Sequence, residues 1–547
     1  MKTEYVRIYK SVHTWVSIVS GMALFIAFYA GALGIFKEPL NRWAAPPRLE
    51  QALTPLADTP QLITQTLARA PAAAKGFVIY LEDAEHIPAR MAWRVRGPGD
   101  GEDNASAPVT HIASLDAQGQ AQVEPFQGHR LATFIDHLHR VVGLPVDNDA
   151  NRWIMGVFAT LYALALFSGV VILLPSLAKD LFALRIGKNL KRMWLDTHNV
   201  VGVVSLPFHI VIAVTAVVFA FHDPIYAVQD STIHAGAKPA GGPRERAAGK
   251  AAAKRDPASM VPPASLVDAV KTFAPSFEPS FLQYRRVGEA SAEVRVWGKD
   301  AAGVMPRPRG GFVSVDPYTG KITSSDRMPG RQEAPALVIH SLFALHMGAF
   351  GGAPVQWMYF VMGLAGAWLF YSGNLLWVES RRVKPARGAS DSDAPPAQRR
   401  HVQRMANACV GVCLGCVCGL SLSIVSAKWL QAHVDNMAVA HQWVYYGAFF
   451  AALGWSFWHG AARAAIHLLW LAAAFTLAIP ATSLLGRLQP ELGLWAHGSA
   501  VSLGVDLVAL AGGLCFAGLA RLTQRRAWLG PADSIWSVKP RACAAGL

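Results

Sequence analysis

Eight apolar stretches divide this 547-residue chain, at about 12–36, 153–175, 197–221, 355–378, 405–427, 440–458, 464–485 and 494–519. Each is near or above the ~20 apolar residues that a helix needs to cross the hydrocarbon core of a bilayer. Lipid offers the backbone no hydrogen-bond partners, so stretches of this length are expected to be spanning helices. With 52% hydrophobic and only 16% charged residues, the composition departs from that of an ordinary soluble enzyme. The first stretch is too long for a signal-peptide core and carries His13, so it is expected to remain uncleaved.

The net charge of +14 does not imply a nucleic-acid partner. Much of the basic charge falls in segments that would share one side of the membrane: Lys2, Arg7 and Lys10; then Lys179 to Arg192; then Arg381 to Arg404; then Arg521, Arg525 and Arg526. Short basic segments stay in the cytoplasm. Eight crossings then place both termini in the cytoplasm and two long loops, about 40–150 and 225–350, outside. The six cysteines give no disulfide framework, because the long loops contain none. Cys409, Cys413 and Cys416 share a helical face. They suit packing between helices better than a soft-metal site.

Histidine recurs in register. His13 precedes Pro39 by 26 positions, and His198 precedes Pro224 by 26. His139 precedes a stretch that runs 16 positions from Trp153 to Gly169. His346 precedes one that runs 16 positions from Trp357 to Gly373, and both end in Ser-Gly. The chain therefore reads as a duplicated unit of helix, outer domain, histidine and helix. An imidazole in a bilayer is costly unless it faces protein, water or a metal, and haem iron accepts two neutral imidazoles. His13 and His198 would hold one haem b toward the cytoplasmic face. His139 and His346 would hold a second toward the outer face. His209 lies eleven positions after His198 on what reads as the same helical face, and would ligate or border a haem. Its counterpart in the first half is Leu24, which breaks the repeat. His137 and His340 lie beside the outer pair. His441, His459, His467 and His497 show no repeat, and Asp506 falls inside the membrane.

In the first outer loop, a helix at 61–70 precedes strands at 77–81, 92–95 and 111–115. In the second, a low-complexity spacer at 235–257 leads to a helix at 264–272 and strands at 281–287, 293–297 and 311–315. The segment Val315-Asp316-Pro317-Tyr318-Thr319-Gly320-Lys321 reads as a hairpin turn. This hairpin resembles that of a PepSY domain. With His13-Thr14-Trp15, Leu138-His139, Asp196-Thr197-His198 and Leu345-His346-Met347-Gly348 in order, residues 1–380 resemble the PepSY-associated transmembrane family of iron-regulated inner-membrane proteins. Its members include ferric-siderophore reductases.

The expected fold is a polytopic α-helical membrane protein. It has about eight transmembrane helices, two periplasmic α+β PepSY-like domains and an internal duplication in its first four-helix half. The order runs helix one (1–39), outer domain (40–150), helix two (151–176), basic cytoplasmic loop (177–196), helix three (197–224), outer domain (225–353) and helix four (354–379). A linker (380–404), an appended four-helix module (405–520) and a cytoplasmic tail (521–547) follow. The expected function is that of a haem b oxidoreductase of the bacterial inner membrane. It would pass electrons outward to reduce the iron of a periplasmic ferric siderophore. No dinucleotide-binding or Walker motif occurs, so electrons would come from membrane quinol or a separate cytoplasmic donor. The alternatives are a non-enzymatic membrane protein whose outer domains bind a periplasmic partner, and an iron or siderophore permease.

Overall fold

A computed structural model describes residues 3–46, 53–81, 87, 89–95, 109–126, 130–146, 149–176, 189–232, 255–301, 303–304, 310–383 and 396–538. The spacer at 235–254, most of the basic loop at 177–188 and most of the linker, 384–395, lie outside these residues. The chain divides into two compact units. One comprises residues 1–47, 129–213 and 358–547, and the other 48–128 and 214–357.

The second unit is built on a sheet. A short helix, α3 (Thr59–Arg69), precedes β1 (Gly76–Tyr80), β2 (Met91–Val95), β3 (Val109–Leu115) and β4 (Ala121–Phe126). Far along the chain the order repeats: α9 (Pro263–Phe273), then β5 (Glu278–Arg285), β6 (Glu293–Lys299), β7 (Gly311–Val315) and β8 (Ile322–Ser324). The outer segments, expected as two domains, form one antiparallel sheet of eight strands in the order β4-β3-β2-β1-β5-β6-β7-β8. The seam is β1 against β5, with Phe77 opposite Tyr284 and Ile79 opposite Leu282. Because side chains alternate across a strand, one register puts a continuous apolar row on one face. That row runs through Met91, Phe77, Ile79, Leu282, Tyr284, Val294, Val296, Val313 and Val315. It packs with Leu62 and Ile63 of α3 and Leu266 and Val270 of α9. Each half closes a hairpin on an aspartate. Asp116 Oδ1 accepts the amides of Gln118 and Gln120, and Asp316 Oδ1 those of Tyr318 and Thr319. Gly119 and Gly320, at φ +72° and +71°, take the left-handed position of each turn.

The first unit is helical. It contains α1 (Thr3–Gly34), α2 (Lys37–Ala44), α4 (Leu131–Arg140), α5 (Asp149–Leu173), α6 (Leu190–Val204), α12 (Arg400–Trp429), α13 (Met437–His459), α14 (Ala461–Leu488) and α15 (Ala500–Leu529). Most of α7 (Leu206–Ala220) extends from residue 206 to 213 within it, and most of α11 (Gly352–Ser380) from 358 to 380. Among the described residues, α1, α5, α11, α12, α14 and α15 are long and apolar enough to span a membrane. The α6–α7 pair makes a seventh if it is one span. The eighth expected span is present as the helix α13, 23 residues long, but it is not among these candidates.

One expectation is corrected here. Helix three is not one straight element, since α6 and α7 meet at 71°. Pro207 has no N–H with which to continue the helical ladder. The Ser205 amide closes α6 on the Val201 carbonyl, and the His209 amide restarts on the Ser205 carbonyl. The last four helices share a core with the first. Cys413 and Cys416 of α12, Tyr445 of α13 and Ile479 of α14 lie in one hydrophobic core with Leu24 and Phe28 of α1 and Trp43 of α2. The buried cysteines of α12 are packing residues beside a glycine stripe. At Gly411, Gly415 and Gly419 the backbone lies so close to α13 that a Cβ at Gly411 would come within 2.9 Å of the Leu453 Cα.

Candidate functional site: seats for paired histidines

Three of the four repeated histidines sit in the same kind of seat. His13 of α1 donates from Nδ1 to the Ala165 carbonyl of α5 at 2.8 Å, with Ser168 Oγ at 3.3 Å. His139 of α4 donates from Nδ1 to the Ala27 carbonyl of α1 at 2.8 Å. His198 of α6 bonds through Nδ1 to Ser372 Oγ of α11 at 3.1 Å, and that hydroxyl donates its own hydrogen to the Leu369 carbonyl. In each case a glycine follows the carbonyl residue by four positions: Gly169 after Ala165, Gly31 after Ala27, Gly373 after Leu369. Helical side chains lean toward the N-terminus, so a side chain at that position would cover the carbonyl. A Cβ at Gly31 would lie 2.7 Å from His139 Nδ1, and one at Gly169 would lie 3.1 Å from His13 Cε1.

The partners settle which nitrogen carries hydrogen. A carbonyl oxygen can only accept, so Nδ1 of His13 and His139 must be the N–H. The Ser372 hydroxyl spends its hydrogen on Leu369, so it accepts from His198 in the same way. In their neutral form all three imidazoles therefore carry the lone pair on Nε2, the form in which histidine binds a metal.

His13 and His198 come together. Their ring centres are 6.4 Å apart, with the planes inclined by 75°. Two imidazoles bound on opposite sides of one metal, each at about 2 Å through a ring nitrogen, have centres roughly 6 Å apart. Among the described residues no three His, Cys, Asp or Glu side chains gather as a metal cage. A metal held by this pair would take its other ligands from outside these side chains, and a macrocycle is one source. The pair fits haem b on donor type, tautomer and separation.

The outer candidates are placed unit by unit. In the helical unit, His139 lies beside Asp136, which is clamped by Lys37 at 2.5 Å and Arg140 at 3.2 Å. His137 turns the other way, with Nε2 on the Leu144 carbonyl and its ring on Phe134. In the sheet unit, His346 belongs to α10 (Ala334–Met347), a separate helix that the sequence did not announce. Its Nδ1 bonds to Thr215 Oγ1 at 2.8 Å, and Phe219 lies against its ring. His340, on the same helix, is buried.

His209 differs from all four. It is 1% exposed, beyond the bend, with Nδ1 2.6 Å from the Tyr162 hydroxyl and Phe28 against its ring. Its Nε2 is buried without a hydrogen-bond partner. The bend also removes the shared helical face with His198 that the eleven-position spacing implied.

Sequence reasoning noted the two Ser-Gly pairs as ends of a repeat but missed that they form the seats. It also missed a buried polar cluster linking α2 to the last helices. Trp43 Nε1 donates to Asp506 Oδ1 at 2.8 Å and to Ser483 Oγ at 3.0 Å. The Lys428 ammonium lies 3.8 Å from the centre of the Trp43 ring and donates to the Trp495 carbonyl. Neighbouring helices thus satisfy the intramembrane Asp506. His497 bonds to the Ala45 carbonyl and His467 accepts from Trp455. His441 is fully buried, and neither of its ring nitrogens has a partner.

Residues 10–380 match the family described as PepSY-associated TM region. A comparison with curated proteins finds no match.

Proposed function

Because the chain belongs to the PepSY-associated TM region family, we propose that it is a haem b oxidoreductase of the bacterial inner membrane that reduces ferric-siderophore iron on the periplasmic side. The observation that carries this reading is the His13–His198 pair, held 6.4 Å apart with Nδ1 of each ring committed to a helix. Bound haem b would supply one-electron redox chemistry. Fe(III) is the substrate, and hard oxygen chelators hold the Fe(II) product less tightly.

The chain's own residues bind and orient. His13 and His198 would hold the haem on the inner side. Ala165, Ser168 and Ser372 would fix their rings, and Gly169 and Gly373 make room for them. His139 in the helical unit and His346 in the sheet unit would each offer an imidazole to further haem. His209 would border the inner one, through a buried Nε2 that no protein group satisfies. The recurrence of the seat on α5 and α11, and of helix plus four strands on either side of the β1–β5 seam, supports an internal duplication. Eight crossings with both termini cytoplasmic require α13 to span, and its 23 residues make a helix of about 34 Å, enough for the hydrocarbon core. The electron donor would be membrane quinol or a separate cytoplasmic protein, and the sheet unit would dock the siderophore.

The deciding experiment is the absorbance spectrum of the purified chain. A Soret band that shifts on dithionite reduction, and is diminished in His13→Ala and His198→Ala, is the expected result. A colourless protein, or variants with unchanged haem, would sink the proposal and leave a non-redox role in binding or transport.

A further inference from the structure

Away from the histidine pairs, a cavity of about 420 Å3 opens in the helical unit between the start of α14 and the end of α15. Arg463, His467 and Trp470 follow one another at helical spacing on the exposed face of α14, and Gln524 and Trp528 do the same on α15. Every polar group on this wall donates. The Trp455 N–H donates to His467 Nδ1 at 3.1 Å, so the neutral ring keeps its hydrogen on Nε2. Arg463 adds a guanidinium and Gln524 an amide. No Asp or Glu lines the cavity, and among the described residues no carboxylate pairs with Arg463. A second guanidinium, Arg521, lies 5.9 Å from the centre of the Trp470 ring.

The depth of these groups indicates the kind of anion. Both α14 and α15 are long and apolar enough to span. Arg463 is in the first turn of α14, and Trp470 lies roughly 10 Å further along the axis. The cavity thus runs from headgroup level, where arginine is at home, to the depth where tryptophan rings sit beside acyl chains. Trp470, 38% exposed, presents an apolar face there, and Trp528, 54% exposed, adds an indole at the level of Arg463, since α15 runs antiparallel to α14 with Gly513 against Leu477. A soluble anion would have no use for such walls.

We propose that this cavity binds the phosphate of an anionic phospholipid. Arg463, His467 and Gln524 would donate to the phosphate oxygens, Trp470 would flank the upper acyl chain, and Trp528 would cover the headgroup end of the lipid. The phosphate chemistry is shared with free phosphate; the tryptophan walls favour the lipid.

Native mass spectrometry of the detergent-purified full chain, supplied with phosphatidylglycerol or phosphatidylcholine, tests this. Wild type should retain one phosphatidylglycerol in at least tenfold preference to phosphatidylcholine. Arg463→Gln should abolish that preference, Arg463→Lys should keep part of it, and Trp528→Leu should weaken retention of the lipid. Millimolar inorganic phosphate should not displace the lipid. Equal retention of both lipids by wild type, or undiminished preference in Arg463→Gln, overturns the proposal. Displacement by inorganic phosphate would show a soluble-anion site and overturn it equally. Because Arg463 is exposed and has no carboxylate partner among the described residues, its substitution leaves the packing of α14 intact, and equal melting of the variants in lipid-free detergent verifies this.

Discussion

The seats make an asymmetric prediction. His13 has two partners at Nδ1, the Ala165 carbonyl at 2.8 Å and Ser168 Oγ at 3.3 Å. His198 is fixed by the Ser372 hydroxyl at 3.1 Å. Ser168→Ala removes the longer of two bonds and leaves the carbonyl in place, so His13 keeps its tautomer and direction. Ser372→Ala takes away the hydroxyl partner of His198 and leaves its N–H to the Leu369 carbonyl alone, which already lies against that ring as a weaker acceptor. Removing the outer partner of a ligating histidine typically weakens metal binding by about 10–100-fold. Ser372→Ala should fall at the lower end, about tenfold or roughly 1.4 kcal/mol, because that carbonyl is a partial substitute. Ser168→Ala should shift haem affinity by less than about threefold, since its net contribution is below that of an ordinary hydrogen bond of about 1 kcal/mol. The assay is titration of haem-depleted protein with haem, followed at the Soret band. In a His198→Ala background, Ser372→Ala should add nothing further, because the effect runs through that ring. Equal effects of the two serine substitutions, or an additive effect in that background, would refute the reasoning.

Other consequences are as direct. Gly366→Ala would set a Cβ 2.3 Å from Phe28 Cδ1 and 2.9 Å from His209 Cε1, and overpacking of this kind costs about 1–3 kcal/mol. Gly447→Ala, in the middle of α13 with nothing within 4 Å, should raise the melting temperature slightly, because Ala is favoured over Gly in a helix interior by up to about 1 kcal/mol. Trp43→Phe deprives Asp506 and Ser483 of their shared donor and should destabilise the helical unit by about 1–3 kcal/mol in a denaturation series. Burial pushes the Asp316 carboxyl up, but Arg255 and the Tyr318 and Thr319 amides outweigh it and hold it below its ordinary range. A depressed folded-state pKa stabilises above the unfolded value, about 3.9, and that contribution is lost as pH falls through the folded value. Wild type should therefore melt above Asp316→Asn at pH 7, and the gap should close toward pH 3; a gap that widens in acid would contradict this.

The periodic features were legible from the sequence. Hydrophobic length found seven helices or bent pairs that can span, and alternation found most strands of the sheet within a few residues. β4 alternates only over Ala121 to Glu124 before the exposed Pro125 breaks the pattern, too short a run to be given bounds beyond the turn at 116–119. The union of the outer segments was hidden because pairing of β1 with β5 depends on partners more than two hundred positions apart, which no local pattern encodes. The recurrence of His13 and His198 was visible as spacing, but their seats were not. A carbonyl is present at every residue, so only the glycine four positions after Ala165, Ala27 and Leu369 marks which one is reachable. Pro207 was readable as a helix breaker, and its place inside an unbroken apolar run concealed it. The cluster of Trp43, Lys428, Ser483 and Asp506 joins four separate helices, so spacing along the chain carries no trace of it.

The β1–β5 seam also sets a timetable for biosynthesis. Phe77 cannot meet Tyr284 until 207 further residues have been made. At about 5–20 residues per second, the ribosome imposes a delay of roughly 10–40 s. Throughout that interval β1 presents an unpaired edge, a template for pairing with other chains. The first four strands are thus a half-built sheet that must be shielded while α5, α6 and α7 are being inserted. Slowing elongation between residues 130 and 270 should lower the yield of intact protein more than the same slowing after residue 330.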